Sequence, residues 1–180
     1  WIQNRQLREN KKTRYMINAS LKYQLFDWLD VVGRVKIDNY DNRSTYKAYA
    51  STGTLVSGDR GTYSDTSTQS KNTYADAIAT LNKSFNDWSV NVILGVSLSD
   101  IRYEMIGYEG GLKLINFFAV HNIDFNKAWK AKQSGWHDQT RAIFANAEIG
   151  WKSMIYLTAT GRNDWDSRLA FSDYKSFFYP

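Results

Sequence analysis

The residues best suited to chemistry are few and far apart in this sequence. There are two histidines, His121 and His137, and no cysteine. Neither histidine has a neighbour at helical or strand spacing that would complete a metal pair. The lack of cysteine excludes thiolate zinc sites and cysteine nucleophiles. We therefore predict no metal, no cofactor and no histidine-based catalysis, and we expect that the chain is not an enzyme.

Two aspartates offer one further possibility for catalysis. Asp164 and Asp166 flank Trp165, and two acids beside an aromatic ring can indicate a glycosidase. Their position just after a predicted strand favours turn formation and solvation instead. Glu148 is more unusual, because it lies in the middle of a predicted strand on the same polar face as Asn146. In a membrane β-barrel such a side chain would point into a wet lumen, where a charge costs little.

These residues lie among segments in which apolar and polar side chains alternate with period two. The clearest segment is 88–98, where the even positions are Trp, Val or Leu and the odd ones are mostly polar or small. Its Gly95 is expected to accommodate a close neighbour. The same pattern predicts strands at 15–25, 31–40, 74–85, 140–151 and 154–162, with a seventh beginning near Phe177.

The connections between these strands are alternately short and long. Short turns are predicted at 27–30, 86–87 and 152–153, and long polar stretches at 41–73, 99–139 and 163–176. Outer-membrane barrels have short periplasmic turns and long extracellular loops in this alternation. Aromatic residues beside each short turn, among them Trp28, Trp88, Trp151 and Tyr156, predict a belt at one membrane interface. The sequence thus favours an all-β, antiparallel, up-and-down transmembrane β-barrel, with residues 1–180 as part of one barrel domain.

Composition narrows the alternatives. The mean hydropathy is −0.53 and no apolar run is long enough for a membrane helix. The net charge of +5 comes from mixed signs along the chain, which argues against nucleic acid. One basic cluster, Arg5 to Arg14, is interpreted as a solvated loop. A soluble β-sandwich explains the alternation equally well, but it does not explain why every second connection is long.

Six aromatic residues of the long stretches are candidates for facing a substrate or partner, although they could instead pack within their own loops. They are Tyr108, Phe117, Phe118, Trp129, Trp136 and Trp165. Three polar-face residues, Asn91, Glu148 and Arg162, are predicted to face the lumen.

Two motifs resemble a known family, the SusC/RagA-like TonB-dependent transporters of the Bacteroidetes outer membrane. Thr160-Gly161-Arg162-Asn163-Asp164-Trp165, followed by Ser176-Phe177-Phe178-Tyr179-Pro180, is similar to that family's barrel signature. Asn86 to Gly95 resembles a family hairpin, and Asn116-Phe117-Phe118-Ala119 and Asp27-Trp28-Leu29 support it. The run Asp166 to Ala170 departs from the expected pattern, which has a proline after the leucine.

The resemblance implies a barrel of about 22 strands closed by a plug domain, of which this chain is expected to be an internal piece of about seven strands. It implies import of oligosaccharides or peptides across the bacterial outer membrane, driven by the TonB complex through parts outside this chain. It also implies a SusD-like surface lipoprotein as partner and direct contact with the lipid bilayer. The alternatives are a soluble carbohydrate-binding sandwich using Trp129, Trp136 or Trp165, and an outer-membrane porin without energy coupling.

Overall fold

The chain forms one seven-stranded sheet in which each strand pairs with its neighbour in sequence. A computed structural model describes residues 4–169 and 177–179. The strands are β1 (Gln6–Phe26), β2 (Leu29–Ala48), β3 (Thr62–Phe85), β4 (Trp88–Gly111), β5 (Trp129–Trp151), β6 (Ile155–Asp166) and β7 (Phe177–Tyr179). A short helix, α1 (Thr54–Ser57), and a 3-10 turn (Val120–Asn122) lie in two of the connections. Among the described residues, no helix is both long and apolar enough to cross a membrane.

This order confirms the predicted all-β, up-and-down antiparallel sheet, and the seventh strand begins at Phe177 as expected. β5 and β6 pair antiparallel from Thr140 opposite Asp166 to Trp151 opposite Ile155. A sandwich needs a second sheet to cover the apolar face of the first. All seven strands belong to one sheet, so within the described part of the chain the sandwich is wrong.

The strands are much longer than the alternation predicted. β1 to β5 contain 20 to 24 residues each, so most of the supposed loops at 41–73 and 99–139 are strand. The connections within these stretches shrink to residues 49–61 and 112–128. In the added parts of β3 and β5 most side chains on both faces are polar, so period two disappears although the strands continue. In β4 the apolar residues move to the odd positions Ile101, Tyr103 and Met105, which breaks the pattern of 88–98.

Several residues assigned to loops therefore lie in strands. Tyr108 is in β4, Trp129 and Trp136 are in β5, and Trp165 is in β6. Most of the basic cluster interpreted as a loop is in β1. Only Phe117 and Phe118, of the six aromatic candidates, lie in a connection.

The short turns are confirmed at 27–28, 86–87 and 152–154. Lys152 and Ser153 have φ of 50° and 55°, and Asn86 has φ of 50°. Tight hairpins favour positive φ at their central residues, because that geometry matches the twist of the flanking strands.

The chain divides into two compact units. The first contains the residues up to Tyr15, Asn39–Ser70 and Arg102–Trp136. The second contains Met16–Asp38, Lys71–Ile101 and the residues from His137 onward. β1 to β5 contribute residues to both units.

The first unit has a small core of its own. Tyr63, Leu112 and Ile123 are buried together, and Tyr108, Phe118 and Val120 pack around them. The connection 112–128 is held by Asn122, which is 3% exposed. Its amide nitrogen donates to the carbonyl oxygens of Leu114 and Phe117, and its amide oxygen accepts from the Leu114 N–H. One buried side chain thus closes this loop.

The second unit presents two unlike faces. Contacts between neighbouring strands join the same alternate positions across the sheet, so each set of side chains occupies one face. We call the first set the apolar face; ten of its large aliphatic residues are 42 to 74% exposed. They are Ile17, Leu21, Leu25, Val35, Leu94, Val96, Ile143, Ile149, Ile155 and Leu157. The opposite set, the polar face, holds the hydrogen-bonded side chains described next.

Candidate substrate-facing and lipid-facing surfaces

Hydrogen bonds between adjacent strands run along the polar face. The Asn91 amide donates to Asn82 (2.5 Å), and both line a recess of about 240 Å³ together with Glu148. The Thr158 hydroxyl donates to Glu148 (3.3 Å). The Arg162 guanidinium lies 5.9 Å from the centre of the Phe144 ring.

Gly95 is covered by that same Phe144 ring, because a Cβ at Gly95 would lie 2.1 Å from it. Together with the hydrogen bonds above, this contact places Asn91, Glu148 and Arg162 on one face of the sheet. The expected close neighbour of Gly95 is confirmed. The prediction that this face borders a lumen stays a prediction.

The two acids flanking Trp165 are each held by an arginine. Asp164 accepts two hydrogen bonds from Arg162, one on each carboxylate oxygen (2.7 and 2.8 Å). Arg168 binds both oxygens of Asp166 in the same way (3.0 and 2.6 Å). Both acids are in β6 and almost fully buried, so the interpretation as solvated turn residues is wrong.

Hydrogen bonds from the Arg168 side chain and backbone lower the pKa of Asp166 to about 2. A glycosidase acid needs a raised pKa, so Asp166 is unsuited to that role.

A third ion pair, Arg34 with Asp76, joins β2 to β3 on the polar face. Its two hydrogen bonds are 2.9 and 2.8 Å long, and Asp76 is 7% exposed. Sequence reasoning missed this pair. A signal was present, because each residue is a charge on the polar set of a predicted strand, but the register that brings them together is not encoded in either strand alone.

The first unit has a comparable pair, in which Arg43 binds both carboxylate oxygens of Asp65 (3.0 and 2.6 Å). The hydrogen bonds from Arg43 hold the pKa of Asp65 below its usual range. Burial raises the pKa of Tyr63, whose hydroxyl donates to the same carboxylate.

The aromatic candidates separate into structural and exposed groups. Phe118 packs edge-on against Tyr49 (4.9 Å between ring centres) and borders the small core, as does Tyr108. These two residues stabilise the first unit. Phe117 is 49% exposed, with its ring edge-on to His121.

Two tryptophans of β5 stay open in the first unit. Trp136 stacks on Tyr103 with 5.9 Å between ring centres and 17° between planes, and it is 49% exposed. Trp129 is 43% exposed and contacts Phe125 edge-on. Phe117, Trp129 and Trp136 can therefore offer ring faces or edges to a ligand.

The sixth candidate, Trp165, lies on the apolar face of the second unit. It sits opposite Arg141 in the β5–β6 register and lines a groove of about 840 Å³. The floor contains Ala75 and Ala77 of β3. Trp165 is thus on the face opposite to Arg162.

Aromatic residues do gather at the short turns. Phe26 stacks on Trp28 (5.1 Å), and Trp88 contacts Trp151 (6.5 Å) on the apolar face. Tyr156 lies opposite Gly150 in the register and so belongs to the polar face. The predicted inclusion of Tyr156 in the same belt is wrong, because neighbouring positions of a strand point to opposite faces.

The histidines take part in ordinary surface contacts. His137 Nε2 lies 2.8 Å from an Asp100 carboxylate oxygen. Among the described residues, no group of three or more histidine, aspartate or glutamate side chains could hold a metal ion.

No family model and no curated protein matches this sequence. Solved structures do match its fold. A structure of the RagAB peptide transporter shares 13% identity with a TM-score of 0.86, over 97% of this chain and 20% of its own length. The RagAB peptide importer in its "closed-closed" state gives the same identity and TM-score over 98% and 20%. The siderophore receptor PiuA from Acinetobacter baumannii shares 12% identity with a TM-score of 0.53, over 94% and 28%.

These matches define the class of fold. The chain is an antiparallel up-and-down sheet of the kind found in the barrels of TonB-dependent transporters. It spans about a fifth of the length of the RagAB chains that it matches. The proteins matched are a transporter, an importer and a receptor.

Proposed function

We propose that this chain forms part of the wall of a TonB-dependent importer in the bacterial outer membrane, with a SusC/RagA-like architecture. One observation carries the proposal. A single sheet of long sequential strands leaves one face apolar and exposed and fills the other with hydrogen-bonded polar groups. Lipid outside and water inside require that division of side chains in a barrel.

The cargo is proposed to be a peptide or an oligosaccharide, and the RagAB comparison supports a peptide. Phe117, Trp129 and Trp136 are the proposed contacts, because their rings are exposed in the first unit. In this role the chain binds its cargo without transforming it. A SusD-like lipoprotein is the proposed partner, at the end of the strands that carries these aromatic contacts. Energy coupling would reside in parts of the protein outside these residues.

The test begins with the intact gene in its native host. We expect the full-length protein to fractionate with the outer membrane and to require detergent for extraction. Deletion of the gene should abolish growth on its peptide or oligosaccharide source, and complementation should restore it. Recovery in a soluble fraction would contradict the membrane assignment.

Energy coupling is tested separately. Uptake of the labelled cargo should stop when the TonB complex is removed while the transporter remains in the membrane. Uptake that continues under those conditions would identify a porin instead.

The aromatic contacts call for a matched pair of variants. Trp136→Ala should weaken cargo binding by about 5- to 30-fold, since stacking on an exposed ring contributes about 1 to 2 kcal/mol. Phe118→Ala removes a ring that packs inside the first unit, so it should loosen the 112–128 connection without a comparable direct loss of cargo contacts. Unchanged binding by Trp136→Ala would remove this residue from the proposed site.

A further inference from the structure

The apolar face of the second unit contains a groove with a charged residue at one end. Its floor is made of Ala75 and Ala77, whose methyl groups leave a depression beside the larger Val96 and Ile143. Its volume is about 840 Å³. That is enough space for an extended hydrocarbon chain, and the alanine floor offers only apolar contact.

One end of the groove carries a positive charge. Arg141 and Trp165 lie there, opposite each other in the β5–β6 register. Asp76 also borders the groove, but its carboxylate is bound by Arg34 on the polar face. Within the described lining, Arg141 is the charged side chain that belongs to the apolar face.

Gln139 forms hydrogen bonds with both the Arg141 guanidinium and the nearby acid Asp100. The Gln139 amide oxygen accepts from Arg141 (2.8 Å), and its amide nitrogen donates to Asp100 (3.2 Å). Asp100 also contacts His137. Arg141 is therefore oriented by a neutral partner, and its remaining N–H groups are suited to an anion such as phosphate.

The distance along β5 between Arg141 and the aromatic belt indicates where the Arg141 charge lies across the membrane. Trp151, which belongs to the aromatic belt at the short turns, lies ten positions after Arg141 in β5. At about 3.4 Å per residue this is about 34 Å along the strand, or about 26 Å along the membrane normal for a strand tilted by about 40°. Barrels carry an apolar band about 25 Å tall between two aromatic girdles. Arg141 and Trp165 thus fall at the interface remote from the short turns.

We propose that this groove binds one lipid of the outer leaflet, a phosphorylated glycolipid, with its phosphate on Arg141 and an acyl chain along Ala75 and Ala77. The inference rests on the proposed function for its orientation, because short turns mark the periplasmic side in such barrels. Trp165 sits at the head-group level, where its ring can contact the sugar.

The test uses the full-length protein, extracted from outer membranes in mild detergent. The phosphorylated glycolipid and the glycerophospholipid that remain bound per protein are quantified by mass spectrometry. Arg141→Gln should reduce retained glycolipid by about 10-fold, equivalent to about 1.4 kcal/mol. Lys83→Gln is the matched control, since Lys83 lies over the Trp28 and Phe85 rings near the short turns. It should retain the wild-type amount.

A second pair of variants tests the chain-binding part. Ala77→Phe fills the groove and should also release the glycolipid, whereas Ala147→Phe places the same ring on the apolar face outside the groove and should not. Comparing the electrophoretic mobility of unheated and heated samples verifies that each barrel is folded. Equal retention by Arg141→Gln and wild type, or retention of glycerophospholipid alone, would overturn the lipid proposal. Absence of the protein from the outer membrane would overturn the proposed function instead.

Discussion

The ring of Phe144 on β5 occupies the space that a side chain at Gly95 on β4 would need. A Cβ there would lie 2.1 Å from the ring, so Gly95→Ala must push Phe144 out of its place beneath Arg162. We expect a loss of about 1 to 3 kcal/mol in the free energy of unfolding, as for other overpacked sites. Urea titration of the folded full-length protein in detergent measures it.

The double variant Gly95→Ala with Phe144→Ala is the control for that prediction. It removes the clash, so it should be less destabilised than the sum of the two single changes, with a coupling free energy of about 1 kcal/mol or more. Additive effects would show that the ring does not restrict position 95.

Leu94→Arg tests which face meets lipid. Leu94 is 55% exposed on the apolar face and lies roughly midway between the two proposed interfaces. Arginine on the lipid side near the midplane costs about 2 to 4 kcal/mol. The measurement is the fraction of full-length protein that assembles into the outer membrane, together with urea stability.

Asn146→Arg is the matched control at similar depth on the polar face. It loses the hydrogen bond from Asn146 to Thr160 (2.8 Å) and should cost only about 0.5 to 1.5 kcal/mol. A larger effect at Asn146 than at Leu94 would reverse the assignment of the faces.

The lowered pKa of Asp166 predicts that the free energy of unfolding falls in acid. Its pKa is lowered to about 2 in the folded chain by hydrogen bonds from Arg168, below the value near 3.9 of an unfolded chain. The stabilisation is therefore complete above about pH 5 and is lost progressively as the pH falls through the folded pKa toward about 1. Thermal unfolding of the full-length protein across this range measures it.

Arg168→Gln should remove most of this acid dependence, because the pKa of Asp166 then returns toward its ordinary value. The expected stability loss near pH 7 is about 1 kcal/mol, since the Arg168 side chain is 64% exposed and water screens its charge. An unchanged acid profile in Arg168→Gln would contradict the assignment to this pair.

Asn122→Ala should open the 112–128 connection. The change removes three hydrogen bonds from a residue that is 3% exposed, and it leaves the Leu114 and Phe117 backbone groups without their partner. A local loss of about 2 to 3 kcal/mol follows. Hydrogen exchange should accelerate in residues 112–128, whereas exchange in β5 and β6 between 140 and 166 should not change. Equal acceleration in both regions would indicate a global effect.

The sequence by itself determined the strand order and the division of faces in the second unit. In segments such as 88–98, one face is apolar and the other polar, and this chemical contrast is visible as period two. The short turns were equally visible, because few residues separate one apolar pattern from the next. The family motifs added an interpretation that the fold comparison supports only at the level of architecture.

Only the tertiary structure decided where the strands end and which side chains meet. In the extended parts of β3 and β5 most positions on both faces are polar, so the pattern gives little contrast although the strands continue. In β4 the apolar positions change from even to odd, at Ile101, Tyr103 and Met105, which ends the pattern read from 88–98 although the strand runs on to Gly111. Contacts such as Arg34 with Asp76 depend on register, which is a relation between strands and cannot be read from one strand alone. The groove beside Arg141 has the same origin, because its alanine floor and its charged end come from strands distant in sequence.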